Sequence, residues 1–345
     1  MLKLDDWVKQ MTRQTVQKLP FQAENAQQWE EWRDALKSKL AELAGTFEEH
    51  RVELEPETVE TSDLGDVIRE RVVLTTSPGL RMPVYILRPA QKQGRLPVIA
   101  ALHGHGYGSK EIVGLHPDGS EMTGDPGIHR SFALELARHG YLVVAPELIG
   151  FGERRLEEDE GKPPKDNSCY RLTAAFMMAG GTIGGFRSYE ARRAIDYALQ
   201  RGDADASRVG CMGLSGGGMV CALTSALDDR IKTAVISGYT NTFDDSILAM
   251  RHCIDNYIPG ILEWAEMPDM IGLIAPRPLM IEAGENDRIF PLHGTRKAVS
   301  VLQKVYRTAG VPERFEADIF EGGHEIHGTV SYAWFDRWLG ERGGE

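Results

Sequence analysis

The chain is poor in cysteine, and none of its four cysteines (Cys169, Cys211, Cys221 and Cys253) belongs to a CxxC pair. That excludes the zinc ribbons and thioredoxin-type dithiols that such pairs signal. Cys211 and Cys221 lie in apolar surroundings and read as free buried thiols. Cys169 and Cys253 lie in irregular segments, where a pairing between them stays open. No run of 18 apolar residues occurs, so no membrane-spanning helix is expected. The N-terminus, MLKLDDWVKQMTRQ, is charged and has no apolar signal core. The chain therefore reads as cytoplasmic, and a mature form stripped of its signal would look the same. Positive charge is not in excess: 39 Lys and Arg stand against 51 Asp and Glu, a net charge of -12. Such a surface disfavours nucleic acid and anionic membranes as partners. There is no internal repeat, low-complexity stretch or interdomain linker.

What is present suits one large α/β domain with additions. The 345 residues are 42% hydrophobic and 26% charged, enough apolar material for a sizeable core. From Leu2 to about His50 the pattern is helical, with Trp29, Trp32, Leu36, Leu40 and Leu43 at helical spacing and Gly45 as a stop. We read residues 1–50 as a helical extension and its stripe as a packing face. A homo-oligomer contact through these helices is the alternative. Residues 51–345 form the second unit. There Val67–Thr76 and Leu80–Pro89 alternate around the turn Ser77-Pro78-Gly79, a hairpin signal. Short apolar strands then alternate with helices. The strands are Leu96–Gly104, Tyr141–Leu148, Arg208–Leu214, Lys232–Gly238, Pro278–Gly284 and Arg314–Phe320. The helices are Arg130–Gly140, Ser188–Arg201, one from about Gly216, Leu292–Ala309 and Thr329–Leu339. This rhythm predicts a mostly parallel central sheet covered on both faces, with the hairpin as antiparallel strands at one edge. Two segments break it, near 150–185 and 239–268, and are expected as cap-like insertions above the C-terminal edge of the sheet.

The chemistry concentrates at that edge. Gly213-Leu214-Ser215-Gly216-Gly217 follows a buried strand and opens a helix, the context of a G-x-S-x-G nucleophile elbow. The sharp turn projects the Ser215 hydroxyl above the sheet, over a helix N-terminus that favours a developing oxyanion. A serine needs a base. His324, in the loop FEGGHEIHG after the last strand, is preferred over His327. The base needs a carboxylate to set its tautomer. Asp287, in EAGENDRIFP, is preferred over Glu285. In LHGHGYGS the His105 N–H is expected to join that of Gly216 as an oxyanion hole. His103 and His105 alone do not make a metal site; no Cys, Asp or third His stands at short range, and His116 and His129 lie further along. No metal or cofactor is expected. Glu147 reads as a hydrogen-bonding partner for loop amides. Arg154 and Arg155 could pair with the acids at 157–160 or face the pocket.

From about Val67 onward the chain resembles the dienelactone-hydrolase-like and acetyl-xylan-esterase-like branch of the α/β-hydrolases. The resemblance rests on LHGHG, GFGER, GLSGGG, GGHE and, more specifically, HCIDNYIPG followed by IAPRPLMIEAGENDRIFP. It implies the α/β-hydrolase fold and Ser215, Asp287 and His324 as a triad. It also implies an esterase for small acyl groups, including acetyl groups on sugars. Dienelactone hydrolases use a cysteine nucleophile, whereas this chain has Ser215. The alternatives are a small serine aminopeptidase and a non-catalytic ligand-binding protein on the same fold. A prolyl-oligopeptidase-type propeller does not fit in the 95 residues before Leu96.

Overall fold

The computed structural model describes residues 3–92 and 94–340. Its centre is a nine-stranded sheet in the order β1-β2-β3-β5-β4-β6-β7-β8-β9. The strands are β1 Glu57–Asp63, β2 Val67–Ser77, β3 Leu80–Pro89, β4 Leu96–Leu102, β5 Leu142–Pro146, β6 Ala204–Leu214, β7 Ile231–Ser237, β8 Leu279–Gly284 and β9 Phe315–Phe320. Pairing is antiparallel from β1 through β3 to β5 and parallel from β5 to β9. Every residue of β4 and β5 is buried. A central strand covered on both faces needs a continuous apolar run, which is why these strands do not alternate.

Helices α3 (Phe132–Arg138) and α9 (Thr329–Leu339) cover one face. Helices α5 (Ile183–Gln200), α6 (Gly216–Leu227) and α8 (Leu292–Thr308) cover the other. The hairpin, the alternation and the mostly parallel sheet all match the expectation from the sequence. Strand β1 was not expected: apart from Val59, ETVETSD is polar, and it is almost entirely exposed. An edge strand has one neighbour and little to bury, so it carries no apolar signature. Its charges also deter pairing with another chain.

The N-terminal region differs from the single helical stretch expected. It holds two helices, α1 (Leu4–Arg13) and α2 (Ala26–Ala44), separated by an irregular segment containing Pro20. Leu2 lies outside the described residues. Asn25 caps α2, its Oδ1 accepting from Gln28 N at 3.0 Å, and Gly45 ends it at φ 83°. Trp29, Trp32, Leu36 and Leu40 are buried in the larger core cluster, with Leu43 half-buried beside them. The Trp32 ring meets Phe21 edge-on at 4.8 Å, and its Nε1 donates to Leu19 O at 3.0 Å. The stripe is thus a packing face within this chain.

The two segments expected as insertions hold short helical elements. The first contains short turns and α4 (Cys169–Met178); the second ends on α7 (Met267–Gly272). Helix α7 opens with a capping box, in which Asp269 accepts from Glu266 N at 2.8 Å and the Glu266 carboxylate accepts from Asp269 N; that carboxylate also accepts from Phe243 N at 3.0 Å, tying the segment to its own exit. Burial pushes Glu266 up to about 7 and Asp269 up to about 6, above their ordinary values of 4.5 and 3.8. A carboxyl raised in the fold contributes stability at low pH that is lost as pH rises through the folded value. Stability from this pair should therefore fall between about pH 4 and pH 7. Glu266→Gln is expected to shrink the difference in unfolding free energy between pH 5 and pH 8 by on the order of 2 kcal/mol. Urea titrations at the two pH values measure it, and an undiminished difference refutes the assignment.

Candidate active site

Strand β6 runs straight into α6 through Ser215, whose backbone sits at φ 57°, ψ -120°. A non-glycine residue held there is strained, and such strain persists where the surroundings over-determine it. Two glycines make the turn passable. A Cβ at Gly213 would stand 2.2 Å from Gly217 O, and one at Gly217 would stand 2.0 Å from Leu102 O. Ser215 N donates to Ser237 O at 2.9 Å, which fixes the elbow against the end of β7.

His324 and Asp287 come together from the loops after β9 and β8. His324 Nδ1 lies 2.7 Å from Asp287 Oδ2. A carboxylate has no proton to give, so Nδ1 carries the hydrogen and Nε2 is left as acceptor. Asp287 Oδ1 accepts from Ile289 N at 2.7 Å and Phe290 N at 3.0 Å. The Phe290 ring stacks on the imidazole at 5.8 Å with an interplanar angle of 14°. The imidazole also lies against Gly238, where a Cβ would stand 3.1 Å from Cε1. Ser215 and His324 thus both adjoin the end of β7. Among the described residues, no hydrogen bond joins Ser215 Oγ to His324. The rival residues lie elsewhere: His327 Nδ1 pairs with Asp318 Oδ2 at 2.6 Å, and Glu285 is exposed.

The loop after β4 passes directly beside the elbow. A Cβ at Gly104 would stand 3.1 Å from Ser215 Cβ, and one at Gly216 would stand 3.0 Å from His105 Nδ1. The N–H groups of His105 and Gly216 donate to no group among the described residues. Buried polar groups hold this loop. His129 Nε2 accepts from Gly104 N at 3.0 Å, and Glu111 accepts from Tyr107 N at 3.0 Å. Glu147 accepts from Ser109 N at 3.1 Å and from Ser109 Oγ at 2.8 Å, the loop-amide role expected of it. His103 donates from Nδ1 to Gly104 O at 2.9 Å and accepts at Nε2 from Leu148 N at 3.1 Å, so both its nitrogens are engaged with backbone. Arg154 makes a two-pronged pair with Glu190 at 2.6 and 2.7 Å, and Arg155 binds backbone carbonyls, including Pro163 O at 3.0 Å. Neither arginine pairs with the acids at 157–160.

The imidazole of His105 lays its Nδ1 edge against Gly216 and turns Nε2 into a cluster that sequence spacing did not reveal. Its Nε2 lies 3.3 Å from Asp255 Oδ2. The same oxygen accepts from Arg187 Nη1 at 2.6 Å and from Cys169 Sγ at 3.3 Å. Arg187 Nη2 donates to Cys169 Sγ at 3.2 Å, and Cys253 stands alongside. Cys169 and Cys253 are free thiols that lie side by side; Cys253 is in an irregular segment as expected, whereas Cys169 is the first residue of α4. Burial penalises charge on Asp255, but His105 and Arg187 outweigh it and hold the carboxyl well below its usual range. Burial likewise opposes a charged His105, and Asp255 more than offsets this, pushing the ring up to about 10. A hydrogen bond with Cys253, set against burial and joined by the charge of Arg187, pulls the Cys169 thiol down to about 6. The one hint in the sequence was HCIDNYIPG, which places Asp255 two residues after Cys253.

No described helix is long and apolar enough to cross a membrane. Residues 3–322 match the model of the Abhydrolase family. A protein of Bacillus subtilis (strain 168) with the hydrolase name YtaP is 28% identical over 297 residues, covering 84% of this chain and 92% of that protein. A Salmonella typhi protein with the name carboxymethylenebutenolidase is 26% identical over 297 residues, covering 85% of this chain and 94% of that protein. Among solved structures, a Bacteroides fragilis NCTC 9343 protein with the name acetyl xylan esterase superposes with a TM-score of 0.77 at 17% identity, covering 93% of this chain and 83% of that chain. With a family match that takes in the elbow, the acid loop and most of the sheet, the chain belongs to the Abhydrolase family, on the α/β-hydrolase fold, and is an enzyme of the hydrolase class.

Proposed function

We propose that the protein is a serine esterase for small acyl groups, acetyl esters of carbohydrates among them, working through Ser215, His324 and Asp287. The observation that carries this reading is the 2.7 Å contact of His324 Nδ1 with Asp287, beside a serine held at φ 57° on the adjoining strand end. In the proposed reaction His324 Nε2 takes the Ser215 proton as Oγ attacks the ester carbonyl. The N–H groups of His105 and Gly216 hold the oxyanion. The alcohol leaves with the proton from His324, and water releases the acyl group by the same route. Catalytic hydrogen bonds are often loose before substrate binds, so the open Ser215–His324 contact is compatible with this scheme. The acyl and alcohol preferences draw support from the acetyl xylan esterase name of the Bacteroides fragilis protein.

The test is a panel of p-nitrophenyl esters of increasing chain length, acetylated sugars and aminoacyl anilides. We expect kcat/KM to be highest for acetyl and to fall about tenfold or more toward long chains. A preference for long acyl chains, or faster cleavage of the anilides, overturns the assignment.

A further inference from the structure

The four residues behind the oxyanion loop come from three separate parts of the chain. His105 follows β4, Cys169 opens α4 in the first insertion, and Cys253 and Asp255 lie in the second. Their ligating atoms (one imidazole nitrogen, two sulfurs and one carboxylate oxygen) all lie within 4.8 Å of one another. From this geometry we propose that His105, Cys169, Cys253 and Asp255 form a structural zinc site.

Tetrahedral zinc with bonds of about 2.0–2.3 Å needs its ligands about 3.3–3.8 Å apart. The cluster therefore has to close by roughly 1–1.5 Å at most. One ligand atom already faces the cluster: His105 Nε2 is buried, makes no hydrogen bond among the described residues, and gives up its proton when the metal binds. Two sulfurs and an imidazole select a borderline-soft ion such as zinc over magnesium or calcium, which take oxygen ligands. Charge also closes. Two thiolates and a carboxylate carry three negative charges, and zinc together with Arg187 supplies three positive ones. Arg187 occupies the place of an outer partner, donating to Asp255 Oδ2 at 2.6 Å and to Cys169 Sγ at 3.2 Å, which orients two of the ligands.

Four protein ligands leave no open position for water or substrate, so the ion is a clasp and not a Lewis acid for the ester. It fastens both insertions to the loop that carries the His105 amide. The site stands independently of the proposed esterase reaction.

Cobalt reports the site directly, since thiolate ligation gives an intense near-ultraviolet charge-transfer band. The full-length, reduced, chelator-treated protein is titrated with cobalt and then with zinc. We expect one equivalent of cobalt to develop the band, one equivalent of zinc to bleach it, and zinc to raise the melting temperature. Cys253→Ala should lose the band. Cys253 is half-buried, unlike Cys169, and makes no bond to Arg187, so this variant is expected to fold, and Cys169→Ala provides the second variant. The Ser215→Ala variant should bind cobalt like the parent chain. No band in the reduced protein, or a band that survives in both cysteine variants, overturns the proposal. So does closure of Cys169 and Cys253 into a disulfide by a chain that takes up no metal when reduced.

Discussion

Ser215→Ala is expected to lower kcat/KM for p-nitrophenyl acetate by about 10⁴-fold or more, leaving only what a bare oxyanion hole and substrate binding provide. The reasoning runs from backbone to chemistry. Ser215 is held at φ 57° by glycine contacts on both sides and by its own N–H bond to Ser237 O. Alanine at the same position inherits that conformation with the same Cβ, so the elbow, the sheet and the Gly216 amide should stay in place. The variant isolates the loss of Oγ. Circular dichroism and the melting temperature should match the parent chain, and a fluorophosphonate probe should label the parent protein at Ser215 and leave the variant unmodified. Activity within tenfold of the parent removes Ser215 from the mechanism.

Asp287→Asn should cost about 10⁴-fold in kcat with little change in stability. Both Asp287 oxygens are committed, Oδ1 to the N–H groups of Ile289 and Phe290 and Oδ2 to His324 Nδ1. An asparagine has one acceptor oxygen. The two backbone donors will hold it, which turns the amide NH₂ toward His324. The imidazole must then accept at Nδ1 and carry its hydrogen on Nε2, the nitrogen that has to take the Ser215 proton. Geometry survives and the base is lost. Rate measurements for Asp287→Asn beside Glu285→Gln separate the two carboxylates: the first should collapse and the second should keep most of its rate. Equal effects refute the assignment of Asp287.

The strands and the site were legible in the sequence to different depths. Buried strands such as LPVIAAL announce themselves because a parallel sheet covered on both faces demands unbroken apolar runs. The elbow was legible because sharp strand-to-helix turns need glycines at fixed offsets. Asp287 and His324 could be chosen because each follows a recognisable strand. Strand β1 was not legible, since its pairing uses backbone alone and its side chains face water. The break between α1 and α2 was masked by apolar residues at helical spacing on both sides of it. The cluster around Arg187 was the least visible. Its members are separated by up to 150 positions, from His105 to Asp255, and only the fold brings them to one point.

One feature of the sheet sets what can change around the elbow. The amides of His105 and Gly216 hang from the ends of β4 and β6, which are hydrogen-bonded neighbours with Leu102 opposite Gly213. Backbone of one strand end lies so close to the first turn of α6 that no side chain fits between them. The gap between the two amides is therefore set by ladder spacing, by the elbow glycines and by the buried polar groups that hold the loop after β4. Loops further out can be lengthened, swapped or recoloured chemically while that gap is inherited intact, so under the proposed esterase reading new acyl or alcohol preferences can arise on this scaffold without rebuilding the pair of amides.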